Sequence, residues 1–290
     1  FMKKEMYSSE VTLLRDTFRR LLRRHAKTNI VKLLDKTHPS DLALIFRYFN
    51  DAEQDSIFSN MLPSEETVKF LYELDESIAT RLIERETAER LAEIMQQASS
   101  NEQAFLMGLV SDEFASSVID LLQTEEQEEL EEMMAYPEDS AGILMYTDVF
   151  TLHEETKARE AIYALQDQED AEMVFYLYTL DDDGRLTGVI SLRDLVTTPS
   201  ETMLKDIMSK NIQAVRAETD QEEVARIVSQ YNFLAVPVVD ASEKLLGIVT
   251  VDSVVDVIRE EATEDFLQLA GAGKDREILL KSSWENARIR

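Results

Sequence analysis

The sequence predicts a multi-domain chain: an all-α superhelical domain of short helices, then an α/β pair of repeated units and a final helical stretch. Three observations predict it. Helix-start signals recur about a dozen residues apart between 38 and 135. At Tyr136-Pro-Glu-Asp-Ser140 a proline ends the helical pattern and the composition shifts toward β-branched residues. Beyond it a strand-helix-strand-turn-strand-helix layout is used twice, and repeated units stack to bury what neither buries alone.

Length and composition bound the rest. A chain of 290 residues favours more than one core. A hydrophobic fraction of 44% suits a globular protein, and no apolar run approaches the roughly 20 residues that cross a bilayer. The start, Phe1-Met-Lys-Lys-Glu5, lacks the apolar core of a signal peptide. Without cysteine there is no disulfide framework, which suits a cytoplasmic setting. Thirty basic residues against 58 acidic ones leave a net charge of −28, so nucleic-acid phosphate is repelled. Two like charges ~4 Å apart cost about 4 kcal/mol at an effective dielectric near 20. A few such contacts rival the ~5–15 kcal/mol stability of a domain, so divalent cations between acidic surfaces would decide conformation. The plainer reading of the same charge is a soluble, self-repelling surface.

Residues 10 to 36 read as an amphipathic helix or helix pair. Leu14, Phe18 and Leu21 share one face; Arg15, Arg19, Arg20, Arg23 and Arg24 fill the other. That basic cluster is a solvated face or a surface for anionic lipid or an acidic neighbour. The short helices start at His38-Pro-Ser-Asp41, Asn50-Asp-Ala-Glu53 and Pro63-Ser-Glu-Glu66. Ser99-Ser-Asn-Glu102 and Thr124-Glu-Glu-Gln127 have capping-box spacing. Acidic first turns are favourable at the positive end of the helix dipole, which accounts for many Asp and Glu residues without a metal.

In the α/β half, the first unit runs from Leu144-Met-Tyr-Thr147 through the helix 158–168, the strand 173–180, the turn Asp181-Asp-Asp-Gly184 and the strand-then-helix stretch 186–196. The second runs from Ile207-Met-Ser-Lys210 through the helix 221–231, the β-branched stretch 231–240, the turn 240–244 and the stretch 245–256, in which a helical pattern follows at Asp252. Met145 and Met208 are 63 residues apart, Gly188 and Gly247 are 59 apart. The chain closes as helix, break and helix, ending on Arg288 and Arg290 in mid-pattern, as a truncated chain would.

The doubled unit, with Phe233-Leu-Ala-Val-Pro-Val-Val-Asp240 and Gly247-Ile-Val-Thr-Val-Asp252, resembles a tandem of cystathionine-β-synthase (CBS) domains. Tyr136-Pro-Glu-Asp-Ser-Ala-Gly-Ile-Leu-Met145, Gly188-Val-Ile-Ser-Leu-Arg-Asp-Leu195, Asp220-Gln-Glu-Glu-Val-Ala-Arg226 and Glu261-Ala-Thr-Glu-Asp265 resemble the MgtE magnesium channels. The resemblance implies a superhelical N domain (1–135), CBS domains at 136–200 and 201–263, and a connecting helix (264–290) leading to a transmembrane pore. It also implies a homodimer at the cytoplasmic face of the membrane, whose pore closes when Mg²⁺ bridges acidic domain interfaces and opens when the ion leaves. Mg²⁺ prefers octahedral oxygen ligands and keeps several waters, which suits carboxylates from different domains.

Carried over residue by residue, the resemblance places Mg²⁺ ligands at Asp220, Glu222, Asp252, Glu261, Glu264 and Asp265, the last three at i, i+3, i+4. Phe105, Asn232 and Ser253 stand where the family pattern has acids. CBS pairs commonly hold adenine nucleotides, with a ribose aspartate in Ser/Thr-x-x-Asp. That motif is present in Ser191-Leu-Arg-Asp194 and lost in Thr250-Val-Asp-Ser253. The implied ATP site has Asp194 on the ribose, Arg193 near phosphate, and Tyr176, Phe233, Ala235 and Pro237 around the base. A CBS adenylate sensor without metal gating is the alternative function, and a scaffold that docks another protein a third.

Other motifs fail. Gly271-Ala-Gly-Lys-Asp275 lacks the Ser or Thr and the upstream glycine of a P-loop. An EF-hand starting at Asp181 would place Leu192 where a bidentate Glu is required. His25, His38 and His153 are scattered, and no nucleophile–base pairing is visible, so no enzyme is expected.

Overall fold

The computed structural model describes residues 2–269 apart from 63, 138 and 168–174; the side chains of 2–10, 125, 260 and 262–269 also lie outside the described set. The chain divides into two compact units, Phe1–Ala135 and Tyr136–Arg290.

The first unit is all helix: α1 (Met2–Arg23), α2 (Lys27–Leu34), α3 (Pro39–Phe46), α4 (Asp51–Phe58), α5 (Glu65–Tyr72), α6 (Glu76–Ile83), α7 (Ala88–Met95), α8 (Ser100–Gly108), α9 (Asp112–Ile119) and α10 (Thr124–Met134). Eight residues give about two turns, ~12 Å, too few to persist alone in water. Stacking supplies the stability: α3 packs on α5, α5 on α7, α7 on α9 and α8 on α10. The core between them includes Phe18, Phe46, Phe58, Phe70, Leu82 and Met95, all at most 2% exposed. Each such side chain contributes roughly 1.5–3 kcal/mol.

Caps set the helix starts. His38 accepts from the Ser40 amide ahead of Pro39, Asn50 and Glu53 form a reciprocal box, and Glu102 accepts from the Ser99 amide at 2.9 Å. The box expected at Thr124-x-x-Gln127 forms one residue earlier, where Glu126 accepts from the Gln123 amide at 3.2 Å. Gln127 is drawn away to another task. Its amide donates to the carbonyls of Ile119 (2.8 Å) and Leu122 (3.0 Å), at the open end of the preceding helix. Gln103 does the same to Met95 and Ala98, and Gln54 to Phe46.

The second unit holds two three-stranded sheets. After the short α11 (Ala141–Leu144) come β1 (Thr151–His153), α12 (Ala158–Asp167), β2 (Tyr176–Leu180), β3 (Leu186–Ser191) and α13 (Leu192–Thr197). The repeat follows as β4 (Val215–Arg216), α14 (Gln221–Tyr231), β5 (Ala235–Val239), β6 (Leu245–Thr250) and α15 (Val251–Leu269). In each sheet the first pair is parallel and the second antiparallel, with a bulge at Thr179/Leu180 and again at Val238/Val239. The superhelix and the doubled α/β unit expected from the sequence are both present. The helix expected over 158–168 is present over Ala158–Asp167, while Gln168 and the first residues of the expected strand 173–180 lie outside the described residues.

The lead-in segments are exchanged. Tyr146, ahead of the first repeat, bridges Ile248 of β6, while Ser209, ahead of the second, bridges Val189 of β3. Gly188 and Gly247 permit this. A Cβ on Gly188 would meet Met208 Sδ at 2.4 Å; one on Gly247 would meet the Tyr146 carbonyl oxygen at 2.5 Å. The hairpin tips are tied as well, with Leu186 N–H donating to the Glu243 carbonyl at 3.0 Å and Leu245 N–H to that of Gly184 at 3.4 Å. Neither repeat completes its sheet region alone.

Candidate functional site

Two groups of predicted residues lie in the α/β unit. The first surrounds the start of α14. Asp220 is its N-cap, and Asp220 Oδ1 accepts from the Glu222 amide at 2.9 Å. Acids at this end are favoured by the helix dipole, whatever else they do. The segment 139–142 lies against the same end: Gln221 N–H donates to the Asp139 carbonyl, Ser140 pairs with Asp220, and Gly142 N–H donates to Ala217. Glu261 of α15 arrives from 40 residues away, accepting from Gln221 Nε2 at 3.1 Å. Asp220, Glu222 and Glu261 are therefore brought to one neighbourhood, joined by the backbone of Asp139.

Asp252 is not brought there. It sits in the first turn of α15, nine residues before Glu261, or roughly 13 Å along the helix axis. Glu264 and Asp265 are on the same helix, but their side chains lie outside the described residues. Among the described residues no three His, Asp or Glu side chains converge closely enough to hold a metal ion. The donors present are single carboxylates, exposed at Asp220, Glu222 and Asp252 and half-buried at Glu261. They fit a hydrated Mg²⁺ that takes one or two protein oxygens and keeps its waters, and do not fit a closed all-protein cage.

The second group lies where β2 and β3 meet α13. Tyr176 pairs with Ser191, and Ser191 caps α13. Ser191 Oγ donates to Asp194 Oδ2 at 2.7 Å and accepts from the Asp194 amide at 3.1 Å. The other oxygen of Asp194 has no partner among the described residues. Arg193 beside it is exposed. Ala235 occupies the equivalent place in the second sheet, opposite Thr250. Tyr176 and Ala235 share one apolar cluster with Tyr178 and Ile248, so the two sheets face each other there. Pro237 is buried on β5 opposite Ile248, and Phe233 stacks on Tyr231 with ring centroids 5.4 Å apart. The repeat-related position is chemically different. Thr250 and Ser253 place two buried hydroxyls 3.2 Å apart and offer no carboxylate. At the fourth position of the motif, the first repeat offers an exposed carboxylate, Asp194, and the second a buried hydroxyl, Ser253.

Two residues escaped the sequence reading. Ser140 is 1% exposed, and its hydroxyl has no partner among the described residues. Tyr178 is 2% exposed and its phenol is likewise unpaired. Burial, with the Tyr176 phenol adding to it, pushes the Tyr178 phenol well above its usual pKa. The 59-residue offset that links Gly188 to Gly247 also links Tyr178 to Pro237, a signal that the position faces the other repeat. Tyr178→Phe is expected to raise the stability of the ligand-free chain by about 1 kcal/mol, because a buried hydroxyl without a partner is a cost. Urea unfolding measures it; a loss of stability would mean that the hydroxyl is satisfied in solution.

Comparison with known proteins places these features. The MgtE intracellular N domain pattern matches residues 37–139, and the CBS domain pattern matches 141–201 and 204–260. A crystal structure described as the cytosolic domain of the Mg²⁺ channel MgtE in complex with ATP superposes with a TM-score of 0.79 at 31% identity. The match covers 84% of this chain and 99% of that one.

The chain belongs to the MgtE family.

Other MgtE-family comparisons agree. The soluble part of a magnesium transporter matches with a TM-score of 0.75 at 27% identity, over 87% of this chain and 99% of that one. The magnesium transporter MgtE of Thermus thermophilus is 35% identical over 251 residues, 82% of this chain and 54% of that protein. That of Enterococcus faecalis is 42% identical over 149 residues, 51% of this chain and 33% of that protein. The chain thus spans between a third and just over half of these curated relatives. They are named as transporters rather than enzymes. No helix among the described residues is long and apolar enough to cross a membrane.

Proposed function

We propose that this MgtE-family chain is the cytosolic Mg²⁺-sensing region of a magnesium channel, acting as a homodimer joined to its own transmembrane pore domain. Mg²⁺ held between acidic domain surfaces closes the pore, and loss of the ion lets those surfaces repel and the pore open. The observation that carries this reading is the gathering of Asp220, Glu222 and Glu261 at the start of α14. The segment 139–142, which enters the α/β unit, is bonded to that same point. An ion there acts on the joint through which the rest of the chain is connected. Asp252, Glu264 and Asp265 are further ligands in this reading, supplied from along α15. That helix runs unbroken from Val251 to Leu269, so the proposed second CBS domain (201–263) and the start of the connecting helix (264–290) are mechanically one rod.

The geometry also favours a single ATP site per chain, with Asp194 taking the ribose hydroxyls, Arg193 near phosphate and Tyr176 and Ala235 flanking the base. The asymmetry between Asp194 and the buried Ser253 supports one site rather than two.

Calorimetry tests both parts. The chain should take up heat-detectable Mg²⁺ at millimolar concentration, and the ion should protect residues 136–145 from protease. ATP should bind separately, and Asp194→Ala should weaken it at least about tenfold, the worth of one charge-assisted hydrogen bond, while leaving the Mg²⁺ heat unchanged. Heat with ATP and none with Mg²⁺ would favour an adenylate sensor whose acids only solvate it. Binding of neither would favour a scaffold.

A further inference from the structure

We infer that α1 and α2 form a docking face for an anionic phospholipid surface, an interaction that rests on neither the Mg²⁺ nor the ATP reading. Residues 1–36 carry ten Lys and Arg against four Asp and Glu, leaving twenty against 54 for the rest of the chain. The acidic protein therefore has a basic stretch ahead of residue 37, where the match to the MgtE N domain begins.

Within this stretch Arg15 pairs with Asp16 and Arg19 with Glu53, and six further cations among the described residues are left over. Basic residues elsewhere are widely paired, as in Arg81 and Arg85 with Asp55, Lys157 and Arg159 with Glu201, and Lys205 with Glu155. Arg20, Arg23, Arg24, Lys27, Lys32 and Lys36 are all exposed, and none has an ion pair among the described residues. Within the unit the acid-rich α10 packs mainly on α8, while α1 packs mainly on α2, α3 and α4. Leu13 lies seven residues before Arg20 on the same face of α1, whose end leads into Arg24, and is 69% exposed. An exposed leucine beside a row of arginines, on a helix whose opposite face buries Phe18, suits a layer that is anionic outside and apolar just beneath. An acidic protein surface would use the cations and not the leucine. The net charge of −28 does not forbid binding, since screening confines each charge to within about 8 Å and 54 of the 58 acidic residues lie outside residues 1–36 of the sequence.

Flotation of the whole chain with vesicles tests this. Binding is expected to phosphatidylcholine vesicles containing phosphatidylglycerol, to fall with salt, and to be absent with phosphatidylcholine alone. Arg20→Glu/Arg23→Glu/Arg24→Glu should weaken it at least about a hundredfold, at roughly a factor of five per cation. These exposed positions should leave the circular dichroism spectrum unchanged. Leu13→Ser should weaken it several-fold. Reversing three cations elsewhere, at Lys210, Arg226 and Lys244, should not. No binding to the anionic vesicles, or equal loss in both reversal variants, overturns the proposal. So does an intact lipid response in the triple variant alongside loss of salt-sensitive self-association, which would assign the basic stretch to the acidic surface of a second copy.

Discussion

Neutralising Asp220, Glu222 and Glu261 together, as Asp220→Asn/Glu222→Gln/Glu261→Gln, is expected to move the Mg²⁺ midpoint for protection of residues 136–145 upward by two to three orders of magnitude. The cause is electrostatic. The three carboxylates share the start of α14, held there by the N-cap bond of Asp220 and by Gln221, which reaches Glu261 at 3.1 Å. Gross attraction between a carboxylate and a divalent ion is large at an effective dielectric near 20, but desolvation cancels most of it. A surviving ~1.4 kcal/mol per carboxylate is a factor of ten each. The amide replacements keep size and retain a carbonyl acceptor, so the N-cap bond of residue 220 survives and folding is preserved. Protease protection titrated with Mg²⁺ in wild type and variant decides it. An unchanged midpoint would remove these residues from the sensor, whatever the remaining acids do. Asp252→Asn is the internal control. Lying roughly 13 Å away along α15, it should act additively with the triple change if it belongs to a different ion, and not at all if it only solvates.

How much of this was legible follows the reach of each interaction along the chain. Helix starts were readable because a cap acts within three residues, as at Asn50 with Glu53 and Ser99 with Glu102. The bounds of α14 could be read because Asp220 opens it and Asn232, at φ +53°, closes it in the left-handed conformation asparagine tolerates. The doubled unit showed itself through β-branched runs and turn residues, which are also local. What stayed hidden crosses the chain. Gln127 satisfies carbonyls five and eight residues back, and that demand shifted the capping box from Thr124 to Gln123. Met145 and Met208 were visible as a repeat, yet nothing in their spacing says that each packs on the glycine of the other repeat. The meeting of Glu261 with Gln221 likewise depends on how α14 and α15 pack. The acidic residues were readable as a class. Their sorting into those at the α14 start and those along α15 required the fold.

Gly247→Ala is expected to destabilise the chain by more than about 3 kcal/mol, and Gly188→Ala, its counterpart 59 residues earlier, by about 1–2 kcal/mol. The two positions carry the same role in the two repeats, so the difference isolates what the added methyl meets. At Gly188 it meets Met208 Sδ at 2.4 Å and Cγ at 2.6 Å, which a flexible thioether can rotate away, and Met208 Cβ at 2.7 Å, which yields only by a small shift of the 208 backbone. At Gly247 it meets the backbone carbonyl of Tyr146 at 2.5 Å, with Met145 Cγ and Sδ at 3.0 Å behind. That carbonyl is not free to yield. It accepts from Ile248 N–H at 2.9 Å, while Tyr146 N–H donates to the Ile248 carbonyl at 2.8 Å, so moving it breaks two backbone bonds at once. Urea unfolding followed by circular dichroism gives both values. Equal losses would show that segment 145–146 is loosely held in solution. A large loss at Gly247 alone would show it clamped to β6, and that clamp matters for the proposed function. The same stretch continues back through α11 to Ser140 at the start of α14, so slack at Tyr146 would leave the acidic group with nothing rigid to act on. In Gly247→Ala, Mg²⁺ protection of 136–145 should therefore be lost together with stability, even at metal concentrations that saturate the wild type.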